Sequence, residues 1–389
     1  MRRPRTGTLI VKTSDATVDV VLRDQLRHLS TTSLAPVTVA AGDTGRLAGV
    51  GRREGVAVHA LPFTRHPSPL RDLHTVVELA RLMARLRPAL VVYGTPKATL
   101  LAGVVALCTG VPARVQVLHG LRLETTSGIG RRLLLLTERL AIRTATHTVA
   151  VGHGLRARCA ELGLDVRSMS VIGQGSVVGI DVDRARRLAD TGTARADGRA
   201  SLGASDDELV VGFVGRVTRD KGVEALVRAA VRLRATGLPV RLAIVGLDEG
   251  VDALDDDVRA ALRSSWVTMT GNVADPAPLY PAFDAFCLPS HREGLSTVLL
   301  EAWAAGIPVV VSDCTGLGDV VEDDVTGIVV PVGDVDATVT GLRAVLTDDA
   351  LRTRLAARAT AHVTEHFARD EVWARCVAFY EAARDERAR

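Results

Sequence analysis

Aromatic residues supply only 3% of this 389-residue chain, and lysine occurs at just three positions, Lys12, Lys97 and Lys221. So few rings exclude an aromatic platform for stacking nucleobases, and a net charge of +3 is too small to imply a nucleic-acid partner. Any core must be assembled from leucine, valine and alanine. Cysteine is sparse as well: Cys108, Cys159, Cys287, Cys314 and Cys376 are odd in number, dispersed and without metal-ligand spacing. Neither a disulfide framework nor a cysteine metal site is expected, and the thiols read as reduced, in a cytoplasmic protein. Long apolar runs are missing too. The longest, Leu100 to Val111, contains Thr109 and is shorter than the roughly 20 residues of a membrane span. Leu9-Ile10-Val11, which follows a basic amino end, is too short for a signal-peptide core, so a soluble protein is expected.

What is present is apolar mass in a particular rhythm. Hydrophobic residues make up 47% of the chain, enough for two buried cores at this length. Val/Ile-rich runs such as Thr8 to Val11, Arg114 to Leu118, Val240 to Val245 and Val309 to Ser312 alternate with Ala/Arg/Leu-rich helical runs. That alternation predicts an α/β protein whose parallel sheets are covered on both faces. Leu188 to Arg195 is small, polar and without an apolar face, so the domain boundary is expected within Ala185 to Asp206. This gives an amino-terminal domain over 1–185 and a carboxyl-terminal domain over 206–369. No fixed-period repeat is present.

Two clusters carry chemistry. In Pro289 to Pro308, the apolar run Ala285 to Leu288 reads as a strand, Pro289 to Gly294 as the turn leaving it, and Ser296 to Ala305 as a helix. Glu293 then sits at the mouth of a strand-to-helix crevice, with Glu301 deeper in the helix. Backbone N–H groups of Gly294, Leu295 and Ser296 open that helix, where unpaired donors and the helix dipole favour a diphosphate. The second cluster follows the strand pattern ending at Val214. Gly215 permits a tight turn, and Arg216 and Lys221 ahead of Gly222 can clamp a pyrophosphate.

Gly215-Arg216, Lys221-Gly222, Pro289-Ser290, Glu293-Gly294, Glu301-Ala302, Gly306 and Pro308 together resemble the signature of retaining family 4 glycosyltransferases. That resemblance implies the GT-B fold, two Rossmann-like doubly wound parallel-sheet domains facing across a cleft. It implies a nucleotide-sugar donor, a UDP-sugar foremost, and no cofactor or metal. Arg216 and Lys221 would hold the donor diphosphate, Glu301 the ribose, Glu293 the transferred sugar, and backbone near Asn272 and Val273 the uracil. A carboxyl-terminal helix over 370–389 would pack back on the amino-terminal domain.

In the amino half, Phe63-Thr64-Arg65, Thr95-Pro96-Lys97-Ala98, Val117 to Leu121 and Ile172 to Ser176 resemble the capsular-polysaccharide and lipid-linked oligosaccharide branch. Val178 and Gly152-His153 stand where that branch usually has asparagine and serine. The resemblance places His119 beside the donor sugar, with Lys12, Arg65 and Lys97 as acceptor-side residues.

The expected reaction is transfer of a glycosyl group to an acceptor hydroxyl with retention, in bacterial surface polysaccharide or lipid-linked glycan assembly. The acceptor glycan is lipid-linked or a small soluble metabolite. A UDP-sugar epimerase of the same fold is the other enzyme reading, with His119 as its one evident acid/base group. A helical run places Arg131, Arg132, Arg139 and Arg143 around Leu133 to Leu136 and Leu140. Either those leucines face the core, or they lie on anionic lipid and give peripheral contact with the inner face of a membrane.

Overall fold

The computed structural model describes residues 5–64 and 68–387. Arg65 lies outside the described residues. The chain forms two compact units, Met1–Val178 with Asp370–Arg389, and Gly179–Arg369.

The amino-half unit is built on a seven-stranded sheet of order β3-β2-β1-β4-β5-β6-β7. Its strands are β1 (Thr8–Val11), β2 (Val37–Ala41), β3 (Ala57–Ala60), β4 (Leu90–Gly94), β5 (Ala113–Leu118), β6 (His147–Ala150) and β7 (Met169–Ser170). Every pairing is parallel. The central strands are buried on both faces, which is why they read as unbroken apolar runs, whereas edge strand β3 is largely accessible. Sequence order runs outward from β1 to β3 on one side and from β4 to β7 on the other. The direction therefore reverses between β1 and β4.

Three neighbouring helices cover one side of this sheet, Pro69–Leu86, Pro96–Cys108 and Gly128–Thr144. The first two begin with proline, where the missing N–H would be unpaired in any case. The third is anchored by Ala141, Ile142 and Thr144. Its Ile129, Leu133, Leu136 and Leu140 are instead 85%, 61%, 59% and 46% exposed. This corrects the reading in which those leucines face the core: the spacing is that of one helix face, and that face points to solvent. The Arg369–Glu386 helix belongs to the same unit, where Val372, Trp373, Cys376 and Tyr380 are buried. Trp373 Nε1 donates to the Val178 carbonyl at 2.6 Å.

The carboxyl-half unit carries a six-stranded parallel sheet of order β10-β9-β8-β11-β12-β13. Its strands are β8 (Leu209–Val214), β9 (Val240–Val245), β10 (Val267–Gly271), β11 (Ala285–Leu288), β12 (Val309–Ser312) and β13 (Ile328–Val330). Here the direction reverses between β8 and β11. The scarce aromatics concentrate in this core, where Phe213, Tyr280, Phe283, Phe286 and Trp303 are fully buried.

The expected linker over 185–206 is a different object. It folds as helices Val182–Asp190 and Ala194–Ser201 within the carboxyl-half unit, and the division between units falls at Val178/Gly179. An apolar stripe is not what holds the second helix. Arg199, only 6% exposed, donates to Asp284 at 3.3 Å and to the Ser205 and Glu208 carbonyls. A small, polar segment is thus fixed by charge-assisted hydrogen bonds, which an apolar-periodicity search does not register.

One buried polar group stands out in the amino-half sheet. Gln116 on β5 lies beside Thr148 on β6, both wholly buried, and no hydrogen-bond partner for either side chain is present among the described residues. A buried amide without partners costs about 1–3 kcal/mol. Replacing it with an unbranched apolar chain, Gln116→Met, is expected to raise the urea-unfolding free energy of this unit by about 1–2 kcal/mol. A loss of stability instead would mean that the amide is satisfied in solution.

Candidate functional site

In a doubly wound sheet, ligands bind at the carboxyl ends of the strands where the strand order reverses. In the carboxyl-half unit that point lies between β8 and β11, and the two loops leaving these strands are the two clusters read from the sequence. The β8 loop runs through Gly215 and Arg216 to a short turn at Arg219–Lys221, then enters the Val223–Ala235 helix. Gly222 between them has φ +70°, and a Cβ there would lie 1.8 Å from the Pro289 carbonyl oxygen. Glycine alone lets the β8 loop lie against the β11 loop.

Contact between the loops brings opposite charges together. Lys221 Nζ donates to Glu293 Oε1 at 2.6 Å, and Ser290 Oγ donates to the same oxygen at 2.8 Å. Arg292 donates to Asp220 at 2.8 Å, and the His291 N–H donates to the Asp220 carbonyl at 2.9 Å. Burial acts to raise the Asp220 carboxyl, but the Thr218 hydroxyl and nearby Arg292, Arg216 and Lys221 outweigh it and hold the pKa below the usual range. Arg216 is more exposed, donating to Glu249 at 3.0 Å and lying 4.0 Å from the Asp220 carboxylate. Lys221 and Glu293 are therefore assembled already, while Arg216 stands at the rim beside them.

Glu301 lies in the Thr297–Ala304 helix that follows the β11 loop. Its Oε2 accepts from Tyr280 OH at 2.8 Å, and burial pushes its pKa up to about 7. Gly294, Leu295 and Ser296 lead into this helix, and Ser296 makes no side-chain cap bond, so the first-turn N–H groups are not occupied by its hydroxyl. Asn272 and Val273 follow β10, with Asn272 exposed and Val273 packed against the core.

The amino-half unit has a second polar group at its own reversal point. Lys12 directly follows β1 and is 2% exposed; its Nζ lies 3.2 Å from His119 Nε2, just beyond β5. Burial lowers the Lys12 pKa to about 8, and burial together with adjacent Lys12 lowers that of His119 to about 3. His119 is thus neutral near pH 7, its Nε2 accepting from the ammonium and its proton on Nδ1. Lys97 is placed differently, donating to Asp72 at 2.7 Å and Thr64 at 2.9 Å. Ser290, Tyr280 and the Lys12–His119 contact were not foreseen as parts of these groups. Ser290 was within reach, as a hydroxyl three residues before Glu293 in a turn; Tyr280 had no local signal. Among the described residues no cluster of three His, Cys, Asp or Glu side chains could hold a metal ion.

The family matches make the chain a glycosyltransferase, and its two parallel-sheet units have the GT-B fold. Residues 17–175 match the glycosyl transferase 4-like domain, and residues 194–362 match the glycosyl transferases group 1 family. Among proteins it resembles is a capsular polysaccharide biosynthesis glycosyltransferase, CapM, of Staphylococcus aureus, 29% identical over 83% of this chain and 84% of that one. A D-inositol 3-phosphate glycosyltransferase of Actinosynnema mirum is 36% identical, over 49% of this chain and 48% of that one. The solved structure of Anabaena HepE with UDP and glucose superposes with TM-score 0.82 over 97% of this chain and 100% of that chain, at 19% identity. Sucrose-phosphate synthase from Thermosynechococcus elongatus gives 0.79 over 97% and 99%, at 20% identity.

The raised Glu301 pKa has a measurable sign. Its folded value, about 7, lies above the ordinary 4.5, so the folded chain binds a proton that the unfolded chain releases between those pH values. Stability from this group is complete below about pH 4.5 and is lost as pH rises through 7. Glu301→Gln, which cannot ionise, is therefore expected to stabilise the carboxyl-half unit by about 1–3 kcal/mol at pH 8. The difference should vanish below pH 5 in denaturant titrations.

Proposed function

We propose that this protein transfers a glycosyl group from a UDP-sugar to an acceptor hydroxyl with retention at the anomeric carbon, without a metal. The observation that carries the reading is the Lys221–Glu293 ion pair with Ser290, made where the two loops of the carboxyl-half reversal point meet. The principal energetic task is to stabilise negative charge on the departing diphosphate. Lys221, Arg216 and the first-turn N–H groups after Gly294, Leu295 and Ser296 supply that stabilisation from fixed positions. Glu293 orients the transferred sugar, Glu301 takes the ribose hydroxyls, and backbone near Asn272 and Val273 takes the uracil. Neutral His119 assists in orienting the donor.

The name of the Staphylococcus aureus relative supports an acceptor in capsular polysaccharide biosynthesis. The D-inositol 3-phosphate glycosyltransferases support a second reading, a small soluble acceptor. The exposed face of the Gly128–Thr144 helix favours the first. Arg132, Arg139 and Arg143 fall along one flank of its Ile129–Leu133–Leu136–Leu140 stripe at about 100° per residue, a pattern suited to an anionic lipid surface. Leu70 and Leu73 on the Pro69–Leu86 helix are also exposed.

Lys221→Met and Glu293→Gln are each expected to lower kcat by about 100-fold or more in transfer assays with UDP-sugars, with turnover unaffected by EDTA and the product anomer matching the donor. Wild-type turnover in both variants contradicts the assigned roles. For the membrane, the protein is expected to sediment with phosphatidylglycerol vesicles at low salt and to be released by high salt. Leu133→Glu with Leu136→Glu should leave it in the supernatant while UDP binding persists. Equal sedimentation of this double variant rules out the helix face.

A further inference from the structure

We propose that Lys12 is the binding cation of a phosphate subsite in the amino-half unit, and, resting on the transfer reading above, that it receives the phosphate group of the acceptor. Three strands converge to build it. β1 and β5 flank β4; Lys12 leaves β1, His119 leaves β5, and Gly94 closes β4 between them. A Cβ on Gly94 would lie 2.8 Å from Lys12 Nζ and 3.1 Å from His119 Nε2, so the absent side chain is what allows the two to meet.

The charge balance of this group calls for an anion. Lys12 is 2% exposed, and among the described residues its ammonium has one hydrogen-bond partner, the neutral His119 ring, and no carboxylate ion pair. An ammonium has three donors, and a buried cation without a counter-charge is costly. The nearest acid along the chain is committed elsewhere. Asp15 accepts from the Thr44 N–H at 2.7 Å, the Thr44 hydroxyl at 2.9 Å and the Arg46 N–H at 3.1 Å. Lys97 is likewise spoken for by Asp72. Lys12 is thus the buried, uncompensated cation at the point where this sheet binds ligands. His119 fixes it there without neutralising it, leaving two donors for phosphate oxygens. A polyol phosphate in solution and a polyprenyl pyrophosphate in a membrane present the same group.

The test uses the full chain and four probes: inorganic phosphate, acetate, glycerol phosphate, and polyprenyl pyrophosphate in lecithin vesicles, with UDP titrated alongside. Phosphate is expected to bind more tightly than acetate, and Lys12→Met to weaken phosphate binding about ten-fold or more while leaving UDP binding unchanged. Lys12→Gln, which removes the charge and keeps a polar side chain, should weaken phosphate in the same direction and serves if Lys12→Met does not fold. Whichever of glycerol phosphate and the polyprenyl pyrophosphate loses more affinity in Lys12→Met identifies the source of the phosphate. Phosphate binding that is absent, matched by acetate, displaced by UDP or indifferent to both variants overturns the proposal. Absence of UDP binding with the Lys12 effect intact would overturn the transfer reading and leave the phosphate subsite standing.

Discussion

The ion pair between Lys221 and Glu293 is the constraint on which the carboxyl-half site depends. Its side chains are 20% and 11% exposed, so both have given up much of their water. A pair in that position contributes little net stability, because desolvation offsets most of the Coulombic attraction. Its value lies in geometry. The contact requires the loops after β8 and β11 to touch, the loops can touch only because Gly222 lacks a side chain, and Ser290 then fixes the carboxylate from below. A cation held this way needs no reorganisation to meet an arriving anion, which is the condition under which fixed charge assists a reaction.

The two units share a layout and differ in how they treat charge. Both are parallel sheets with a reversal of strand order, at β1/β4 and at β8/β11. At the second, cations are paired: Lys221 with Glu293, Arg216 with Glu249, Arg292 with Asp220. At the first, Lys12 faces an imidazole that burial and the same lysine keep uncharged. A ligand entering the proposed carboxyl-half site would exchange with existing ion pairs, whereas one entering the proposed amino-half subsite would meet charge that no carboxylate among the described residues cancels. In the proposed reaction, shared topology would fix where ligands bind and the local charge balance would decide what kind.

Much of this was legible in the sequence because the informative residues are close in the chain. Lys221 and Gly222, or Ser290 and Glu293, sit in single loops, and the strands on either side read as apolar runs because both sheet faces are covered. Pairings across the fold were not legible. Lys12 and His119 are 107 positions apart, and Tyr280 lies on a separate turn from Glu301, so neither contact leaves a local pattern. Lys97, placed on the acceptor side by resemblance, meets Thr64 and Asp72 from 33 and 25 positions away, contacts that leave no local pattern either. The segment over 185–206 was misread for a related reason. Amphipathicity was judged by apolar residues, while Arg199 holds its helix through carbonyls and Asp284.

Surface composition separates the units further. The carboxyl-half unit exposes large apolar side chains singly, as at Val231, Leu247 and Met269, which is ordinary for a soluble surface. The amino-half unit aligns them along one helix face, flanked by arginines, on a layer that also exposes Leu70, Leu73 and Leu107. Among the described residues no helix is long and apolar enough to cross a membrane, so any such contact would be lateral. A helix lying on lipid gains from its apolar stripe only to headgroup depth, and arginines beside the stripe add attraction to anionic lipid that salt screens. That combination would give reversible attachment. In the proposed reaction it would hold the unit bearing Lys12 near a lipid-linked phosphate while leaving the chain free to exchange a soluble nucleotide at Lys221.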